Sequence, residues 1–317
     1  MKKIVITGAG GFIGRALVDK FSENKKNLII AVDNNERGSL KKIKNKKNIT
    51  KVKIDVTNKK KLKNVFKETD ECYHLAAING TKNFYEIPER VLKIGVLGTE
   101  YVLNECIKNK VKLFVFFSSS EAYQTPSNIP TKETEILKVP DVFNPRLSYG
   151  GSKIIGELLT INYLKNTKIN FKILRPHNVY GPDMGNDHVI PELIKKIYNK
   201  LKFKKKNIKI NIFGSGDESR SFIYIDDAVN AISKVVYKGA KNAIFNIGSN
   251  DEISIKKLII KIGKILKIKV LIKKNKLHQG SVTRRCPNIN KLKKLGHKNK
   301  FNLNQGLYKT ILFYKKY

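Results

Sequence analysis

A glycine-rich turn between a short apolar run and an amphipathic stretch constrains the fold of this chain most strongly. Residues 4–7 are strand-like, residues 12–21 carry apolar side chains at helical spacing, and between them stands Thr7-Gly8-Ala9-Gly10-Gly11-Phe12-Ile13-Gly14. Glycine permits positive φ and lets a ligand approach the backbone without a Cβ clash. The following helix would present free amides and the positive end of its dipole. The pattern predicts an anion-binding strand–turn–helix unit, with a purely structural turn as the alternative.

Short apolar runs alternate with helical stretches through the first half of the chain. Strands are predicted at residues 28–33, 52–55, 72–76, 112–118 and 170–174, and helices at 59–66, 90–108 and 149–164. Such alternation indicates βαβ units, and continuous apolar strands indicate a sheet covered on both faces. After Arg175 the chain becomes rich in proline and glycine, and two further strands are predicted at 222–225 and 243–247.

We therefore expect an α/β fold with two domains. Residues 1–174 and 222–248 are expected to form a Rossmann-type, doubly wound parallel sheet. Residues 175–221 and 249–317 are expected to form a smaller, mostly C-terminal α/β substrate-binding domain.

The formal net charge of +38 comes from 64 basic and 26 acidic residues, which by itself suggests a polyanionic partner. Only eight of the basic residues are arginine, however, and the lysines are spread along the chain. A solvated lysine surface is therefore favoured over a nucleic-acid site, and the basic runs 41–47 and 202–206 are read as solvated loops or helix faces.

The lengths of the apolar runs and the number of cysteines indicate in which cellular compartment the protein is expected. No run approaches the ~18 residues of a membrane span, so no membrane partner is expected. The apolar part of the N-terminus, Ile4–Ile6, is too short for a secretory signal. Three unpaired cysteines favour a cytoplasmic protein and predict neither a disulfide framework nor a metal site.

An acidic residue at the end of the second predicted strand indicates a dinucleotide. Asp33 follows Gly14 by 19 residues, near the ~20-residue offset of the carboxylate that binds ribose hydroxyls. It would repel a 2′-phosphate and so favours NAD over NADP, although Arg37 nearby leaves NADP open. The expected cofactor-binding residues are Gly8, Gly11, Phe12, Ile13, Gly14, Asp33, Asn34, Asp55, Val56, Leu75, Ala76 and Ala77. His74 is expected to be a packed strand-end histidine.

Tyr149 and Lys153 stand one helical turn apart, and hydroxyl side chains follow an apolar strand at Ser118-Ser119-Ser120-Glu121. An ammonium beside a phenol stabilises the phenolate, so we expect Lys153 to lower the pKa of Tyr149 from its usual ~10 and make it a base. A tyrosine–lysine pair alone is common. Together with the glycine turn and a hydroxyl at a strand end, it is specific.

The motifs together resemble the extended short-chain dehydrogenase/reductase family of nucleotide-sugar epimerases, dehydratases and decarboxylases. They are TGAGGFIG (7–14), HLAA (74–77), SSSEAY (118–123), YGGSK (149–153), RPHNVYGP (175–182), GSGDESRSFIYIDD (214–227), NIGS (246–249) and TRRCP (283–287). The resemblance implies catalytic roles for Ser119, Tyr149 and Lys153, with Tyr149 and Lys153 also contacting NAD. It implies that Asn178 and Arg220, with Arg284 or Arg285, bind the diphosphate of a nucleotide-sugar substrate. It also implies a homodimer through helices around 90–108 and 149–164.

The implied reaction is transient oxidation of the sugar C4 hydroxyl to a ketone, with bound NAD recycled, in the synthesis of cell-surface polysaccharide precursors. The resemblance also makes Ser120 and Glu121 candidate catalytic residues, and they leave the outcome open. In relatives that resemble 4,6-dehydratases a glutamate at this place acts as the base at C5, and UDP-glucuronate decarboxylases have a similar Ser-Glu pair. Many 4-epimerases carry small residues at these two places. The less favoured alternatives are a simple ketone reductase that exchanges free NAD(P)H, a non-catalytic dinucleotide-binding regulator and a nucleic-acid-binding relative.

The sequence departs from the family pattern in three places. Gly95 stands where asparagine is usual, and Gln124 stands where glycine is usual. The stretch from Ser119 to Tyr149 is a few residues longer than is usual in the family. These departures affect the expected shape of the sugar pocket.

Overall fold

A central parallel sheet of seven strands organises the protein, whose computed structural model describes residues 1–186, 188–201, 207–275 and 282–315. The strand order is β11-β6-β5-β4-β1-β2-β3, and every neighbouring pair is parallel. The strands are β1 (Lys2–Thr7), β2 (Asn27–Asp33), β3 (Ile49–Lys53), β4 (Glu71–His74), β5 (Leu113–Phe117), β6 (Asn170–Pro176) and β11 (Ala243–Ile247). Because β1 lies between β2 and β4, the strand order reverses there and opens a crevice at the carboxyl ends of the strands.

Helices connect the strands and cover both faces of the sheet. They are α1 (Phe12–Ser22), α2 (Lys59–Leu62), α3 (Thr81–Glu86), α4 (Pro88–Lys93), α5 (Thr99–Lys108), α6 (Ser148–Leu164), α7 (Val189–Leu201), α8 (Ile225–Lys238), α9 (Ile255–Ile265), α10 (Asn290–Lys294) and α11 (Leu303–Tyr314). Three short 3₁₀ turns lie at Leu40–Lys42, Ser120–Tyr123 and Pro145–Leu147.

Three small sheets accompany the central one. The first pairs β7 (Val179–Tyr180) with β10 (Ile223–Tyr224), and the second pairs β8 (Asn207–Phe213) with β13 (Lys269–Asn275). The third has the order β12-β9-β14, formed by Glu252–Ser254, Ser219–Ser221 and Arg284–Arg285. The third sheet places the two arginines of TRRCP beside Arg220.

The apolar strands are buried between two hydrophobic clusters, one on each face of the sheet. In β5, Val115 and Phe117 face one cluster while Phe114 and Phe116 face the other. Burying a side chain of this kind contributes about 1.5–3 kcal/mol, which explains why continuous apolar strands predict a doubly covered sheet. The predicted doubly wound parallel sheet is confirmed.

Three predicted elements differ most from the structure in their bounds or continuity. The third strand is Ile49–Lys53 rather than 52–55, and the following helix ends at Leu62 rather than 66. The helix predicted at 90–108 is divided by a π-helical turn at Ile94–Gly98. Within the described ranges, no helix is both long and apolar enough to cross a membrane. The basic run 202–206 lies outside the described residues.

Candidate active site

The crevice at the strand reversal has a cavity volume of about 110 Å³. Its walls include most residues of the expected dinucleotide site: Gly8, Gly11, Asp33, Asn34, Asp55, Val56, Leu75, Ala76 and Ala77. Phe12 and Ile13 begin helix α1 behind the turn, so their backbone amides belong to the first four of the helix, which have no acceptor within it. The structure therefore brings the glycine turn and the ends of four strands to one place.

Glycine is required in the turn by close backbone contacts. Gly8 has φ +71°, and a Cβ on it would lie 2.7 Å from the Ala76 nitrogen. A Cβ on Gly14 would lie 2.2 Å from the Gly8 oxygen, which explains the third glycine of the motif although Gly14 does not line the crevice. Gly38 closes the other side, since its Cβ would lie 2.3 Å from the Gly10 carbonyl carbon. The turn is packed against backbone on both sides.

Asp33 fixes the turn from the end of β2. Its carboxylate accepts hydrogen bonds from the backbone nitrogens of Gly10 (2.9 Å) and Asn35 (2.8 Å). On the same rim, Asn34 donates to Asp55 (2.9 Å). Arg37 also lines the crevice, and its guanidinium lies against Gly80, where a Cβ would be 3.1 Å from Nη1.

These residues fit an adenine dinucleotide. A cradle of glycines leaves room for a pyrophosphate at the start of α1, a carboxylate stands at the end of β2 for ribose hydroxyls, and Leu75–Ala77 form a low apolar wall. The expected packed role of His74 also agrees with its contacts, since its two ring nitrogens are bonded to the hydroxyls of Thr7 and Thr99.

Tyr149, Ser119 and Lys153 meet beside this crevice. The Ser119 hydroxyl hydrogen-bonds the Tyr149 phenol, whose ring is stacked on Phe84 with 5.1 Å between ring centroids. Lys153 Nζ lies 5.6 Å from the centre of the Tyr149 ring and donates to the Phe117 carbonyl oxygen at 2.8 Å. The strand end of β5 and the first turns of α6 thus assemble the expected trio.

The pKa of Tyr149 is raised to about 12, opposite to the lowering that the tyrosine–lysine spacing predicts. Burial is the largest cause, and the Ser119 hydrogen bond and the charge of Arg37 oppose it only in part. The ammonium of Lys153 is directed to a carbonyl rather than to the phenol. Burial lowers the pKa of Lys153 to about 8, against the charge of Glu157.

A cluster of charged residues stands next to the trio, formed by Glu121, Arg146, Arg220 and Arg285 and hereafter called the arginine cluster. Arg285 donates to Glu121 Oε1 at 2.7 Å, and Arg146 Nη1 lies 3.8 Å from Oε2. Burial raises the pKa of Glu121, but the facing guanidinium groups outweigh it and hold that pKa at about 2. Burial and the charge of Arg285 lower the pKa of Arg220 to about 10, so this guanidinium remains charged at neutral pH.

Of the remaining residues that were predicted to bind substrate, Asn178 lies beside the arginine cluster and Arg284 lies outside it. Asn178 has φ +37° and donates to the Ser221 carbonyl at 2.9 Å, which holds it beside β9 and Arg220. Arg284 instead forms a two-pronged ion pair with Glu252 and is half exposed. Of the two neighbouring arginines, Arg285 is therefore the one that joins the arginine cluster. Ser120 is buried in the short 3₁₀ turn before Tyr123.

The sequence pattern does not assign Gly38 or Arg146 to the site, and it indicates Arg37 only as a residue that leaves NADP open. Gly38 and Arg37 follow Asp33 closely, and their part in the crevice depends on a loop that folds back onto the turn. Arg146 stands three residues before Tyr149, and the scarcity of arginine in this lysine-rich chain is the feature that could have drawn attention to it.

The two substituted family positions are accommodated locally. A Cβ on Gly95 would lie 2.6 Å from both Cβ and Oγ of Ser152, so the π-helical turn packs directly on α6. Gln124 adopts φ +51° and ψ −119°, a conformation that favours glycine, and its side chain donates to the Glu121 carbonyl at 2.7 Å.

The fold and this site define an NAD-binding enzyme of the short-chain dehydrogenase/reductase type. The model of the NAD dependent epimerase/dehydratase family matches residues 4–248, and the chain belongs to this family. Membership confirms the family resemblance, the enzyme class and NAD as the cofactor.

Named relatives carry several related activities. The dTDP-D-glucose 4,6-dehydratase of Dictyostelium discoideum is 31% identical over 80% of this chain, a match that spans only 60% of that enzyme's length. A candidate UDP-glucose 4-epimerase of Methanocaldococcus jannaschii is 32% identical over 98% of both chains. UDP-glucuronic acid decarboxylase 6 of Arabidopsis thaliana is 30% identical over 96% of this chain and 86% of its own. The Thermotoga maritima UDP-glucose 4-epimerase, solved with UDP-glucose, superimposes with a TM-score of 0.88 at 27% identity over 99% of each chain.

Proposed function

We propose that this protein is a nucleotide-sugar 4-epimerase that oxidises the sugar C4 hydroxyl transiently and recycles its bound NAD. The observation that carries the proposal is the meeting of Ser119, Tyr149 and Lys153 between the dinucleotide crevice and the arginine cluster. The guanidinium groups would hold the diphosphate of the substrate. Its sugar would then lie between these groups and the crevice, with a ring hydroxyl facing the Tyr149 phenol. We further propose that the product is a precursor of cell-surface polysaccharide, because nucleotide sugars made by reactions of this class serve as such precursors.

The chain's own groups account for the proton transfer. Tyr149 Oη accepts the proton of the sugar hydroxyl, Ser119 holds the same oxygen by a hydrogen bond, and the Lys153 ammonium supplies positive charge on the same helix. NAD, when bound, supplies the hydride acceptor and the positive charge of its oxidised ring. Since burial is the largest cause of the raised pKa of Tyr149, added positive charge is what this phenol needs to release its proton.

The state of Glu121 favours epimerisation over elimination. A base that removes a proton from carbon is most effective with a pKa near the working pH, whereas the pKa of Glu121 is held at about 2. Decarboxylation is the second candidate, because three guanidinium groups could also hold a sugar carboxylate. A 4-ketone formed by the same trio would release carbon dioxide without needing Glu121 as a base.

A panel of UDP-, dTDP- and GDP-sugars, analysed by mass spectrometry and NMR of the products, tests the proposal. Epimerisation leaves the mass unchanged and inverts one ring carbon, whereas loss of carbon dioxide or water indicates decarboxylation or dehydration. The Tyr149→Phe variant, which keeps the ring stacked on Phe84, is the control and should lose at least about 10²-fold in kcat. Absence of turnover on every nucleotide sugar, with NAD bound, would overturn the proposal.

We also propose that the protein forms a homodimer through α4, α5 and α6. These helices and the π-helical turn Ile94–Gly98 pack together and leave Leu92, Leu97, Ile155 and Leu158 exposed. Leu158 is 55% exposed in the middle of α6, where a leucine is normally covered.

The domain division and the location follow the same proposal. Apart from β10, all strands of the three small sheets fall in residues 175–221 and 249–317, which supports these segments as the nucleotide-sugar-binding domain beside an NAD-binding domain of 1–174 and 222–248. Cys72, Cys106 and Cys286 are buried and free, which supports a cytoplasmic location.

A further inference from the structure

A buried ion pair lies directly behind the candidate active site. Arg175, at the end of β6, donates from Nε to Glu157 Oε1 at 2.8 Å and from Nη2 to Oε2 at 2.6 Å. Only 3% of the Arg175 side chain and 4% of the Glu157 side chain are exposed. A buried ion pair of this kind stabilises the fold little more than apolar residues of similar volume would, so its presence points to a functional role.

The pair anchors both ends of the segment that carries Ser119 and Glu121. Ser118 Oγ donates to Glu157 Oε1 at 2.5 Å, immediately before Ser119. On the other side, Arg175 Nη1 donates to Tyr123 Oη at 2.8 Å, and Tyr123 Oη in turn donates to Asn246 Oδ1 at 2.9 Å. Residues 119–121 therefore lie between Ser118, which is bonded to Glu157, and Tyr123, which is bonded to Arg175.

The same pair lies one helical turn from Lys153. Three titratable groups act on or face the Lys153 ammonium: Glu157 and Tyr149 on α6, and His74 on β4. Burial, with the Lys153 charge, lowers the pKa of His74 to about 3, and burial raises that of Tyr149 to about 12, so both are neutral between pH 6 and 9. Glu157 is therefore the negative charge that acts on Lys153 in this range.

We propose that the Glu157–Arg175 ion pair is a positioning device for the reaction, fixing Ser119 through Ser118 and Tyr123 while its carboxylate, one helical turn from Lys153, balances the charge of that ammonium. The inference rests on the proposed function for its kinetic consequences. Neither residue touches the crevice, so both act through the groups that they hold.

The first test separates the charge of Glu157 from its anchoring of the 119–121 segment. Removing a unit charge about 6 Å from an ammonium at an effective dielectric constant of about 20 lowers its pKa by roughly one to two units. The Glu157→Gln variant should therefore move the alkaline limb of kcat/KM from near pH 8 down by one to two pH units. Ser118→Ala should lower kcat about 10- to 100-fold, through a displaced Ser119, and leave that limb in place.

Two further variants keep the result interpretable. Glu100→Gln removes a carboxylate on the neighbouring helix α5, which accepts a hydrogen bond from Tyr163 of α6, and it should change neither kcat nor the limb. If Glu157→Gln does not fold, Glu157→Gln/Arg175→Gln, which leaves no unpaired charge in the interior, takes its place and should still move the limb downward.

Direct titration of Lys153 keeps this proposal distinguishable from the proposed function. The side-chain NMR resonance of Lys153, assigned by its loss in Lys153→Arg, is followed with pH in the wild-type protein and in the Glu157 variant. A pKa lowered by the substitution supports the ion-pair role even if no nucleotide sugar is turned over. An unchanged Lys153 pKa, or an alkaline limb that stays at the wild-type pH, would overturn it.

Discussion

At the scale of single residues, the charge of Glu121 is balanced by arginine side chains rather than left free for proton transfer. Arg285 bonds one carboxylate oxygen and Arg146 approaches the other. A carboxyl group whose pKa is about 2 is almost fully ionised at pH 7 and accepts protons weakly. Its carboxylate instead competes with the anionic groups of a substrate for the same guanidinium groups.

We expect Glu121→Gln to keep kcat within about tenfold of the wild type and to lower KM for the nucleotide sugar, because it removes the competing anion. Steady-state kinetics measure both constants, with Asp217→Asn, at an exposed carboxylate, as a control that should change neither. A base for carbon deprotonation would behave differently, since its loss costs about 10²–10⁴ in kcat. A drop of that size would identify Glu121 as a catalytic base.

At the scale of elements, the seating of helix α6 on strand β5 sets the geometry of the site. Tyr149, Lys153 and Glu157 occupy successive turns of this helix, so a shift of the helix moves all three. Gly156 permits the close approach, because a Cβ there would lie 2.2 Å from Cζ of the buried Phe116. Gly151 on the same helix would place a Cβ 3.5 Å from Val139 Cγ2, which is ordinary contact.

The two glycines give a matched pair of substitutions with opposite expected effects. Gly151→Ala should stabilise the protein by about 0.5–1 kcal/mol through helix propensity. Gly156→Ala should destabilise it by about 1–2 kcal/mol, because overpacking against Phe116 exceeds the same helical gain. Chemical denaturation at pH 7 measures the free energy of unfolding of both variants. Equal effects would mean that α6 is not held against β5 at Gly156.

The sequence allowed prediction of those parts of the site that depend on local pattern. The glycine turn, Asp33 and the Tyr149–Lys153 spacing each follow from one strand–turn–helix unit or one helical turn, and their positions could be predicted. The π-helical turn could not, because it depends on the contacts of Gly95 with Ser152 and of Gly98 with Val56. The pKa of Tyr149 could not either, because burial is a property of the folded chain.

Arg146 illustrates the remaining gap between sequence and site. It lies in a 3₁₀ turn before α6, and it reaches Glu121 only because the segment after β5 packs against the start of α6. A contact between two loops of this kind carries no periodic pattern.

At the scale of the whole molecule, the exposed apolar face of α4, α5 and α6 should be covered by a second copy of the chain. Leu158→Glu introduces a charge into the middle of this face, and we expect it to convert a dimer into a monomer. Light scattering coupled to size-exclusion chromatography gives the mass of each species. Lys165→Glu, at the C-terminal end of the same helix and exposed, is a control that should remain dimeric.

Stability of the whole molecule should fall as the pH is lowered. His74 and His177 are fully buried, and burial lowers the pKa of each to about 3. An unfolded histidine has a pKa of ~6.5, so between pH 6.5 and 3 the unfolded state binds more protons, and the free energy of unfolding decreases as pH falls. We expect about 3–4 kcal/mol less stability at pH 5 than at pH 7.

Urea denaturation at pH 5, 6 and 7 measures this dependence. The His177→Asn variant should show about half of the wild-type pH dependence, since one of the two histidines with a pKa of about 3 is gone. A free energy of unfolding that does not vary between pH 7 and 5 would contradict the neutral, buried state of both side chains.

The few arginines of this chain are concentrated where flat, two-pronged contacts are made. Arg15 binds Gly10 O and Asp183, Arg175 binds Glu157, Arg284 binds Glu252, and three more form the arginine cluster, while lysines cover the surface. Exchanging any one of the eight for lysine leaves the formal net charge at +38. Such exchanges would therefore measure how much of binding and turnover depends on the shape of a cation and how much on its charge alone.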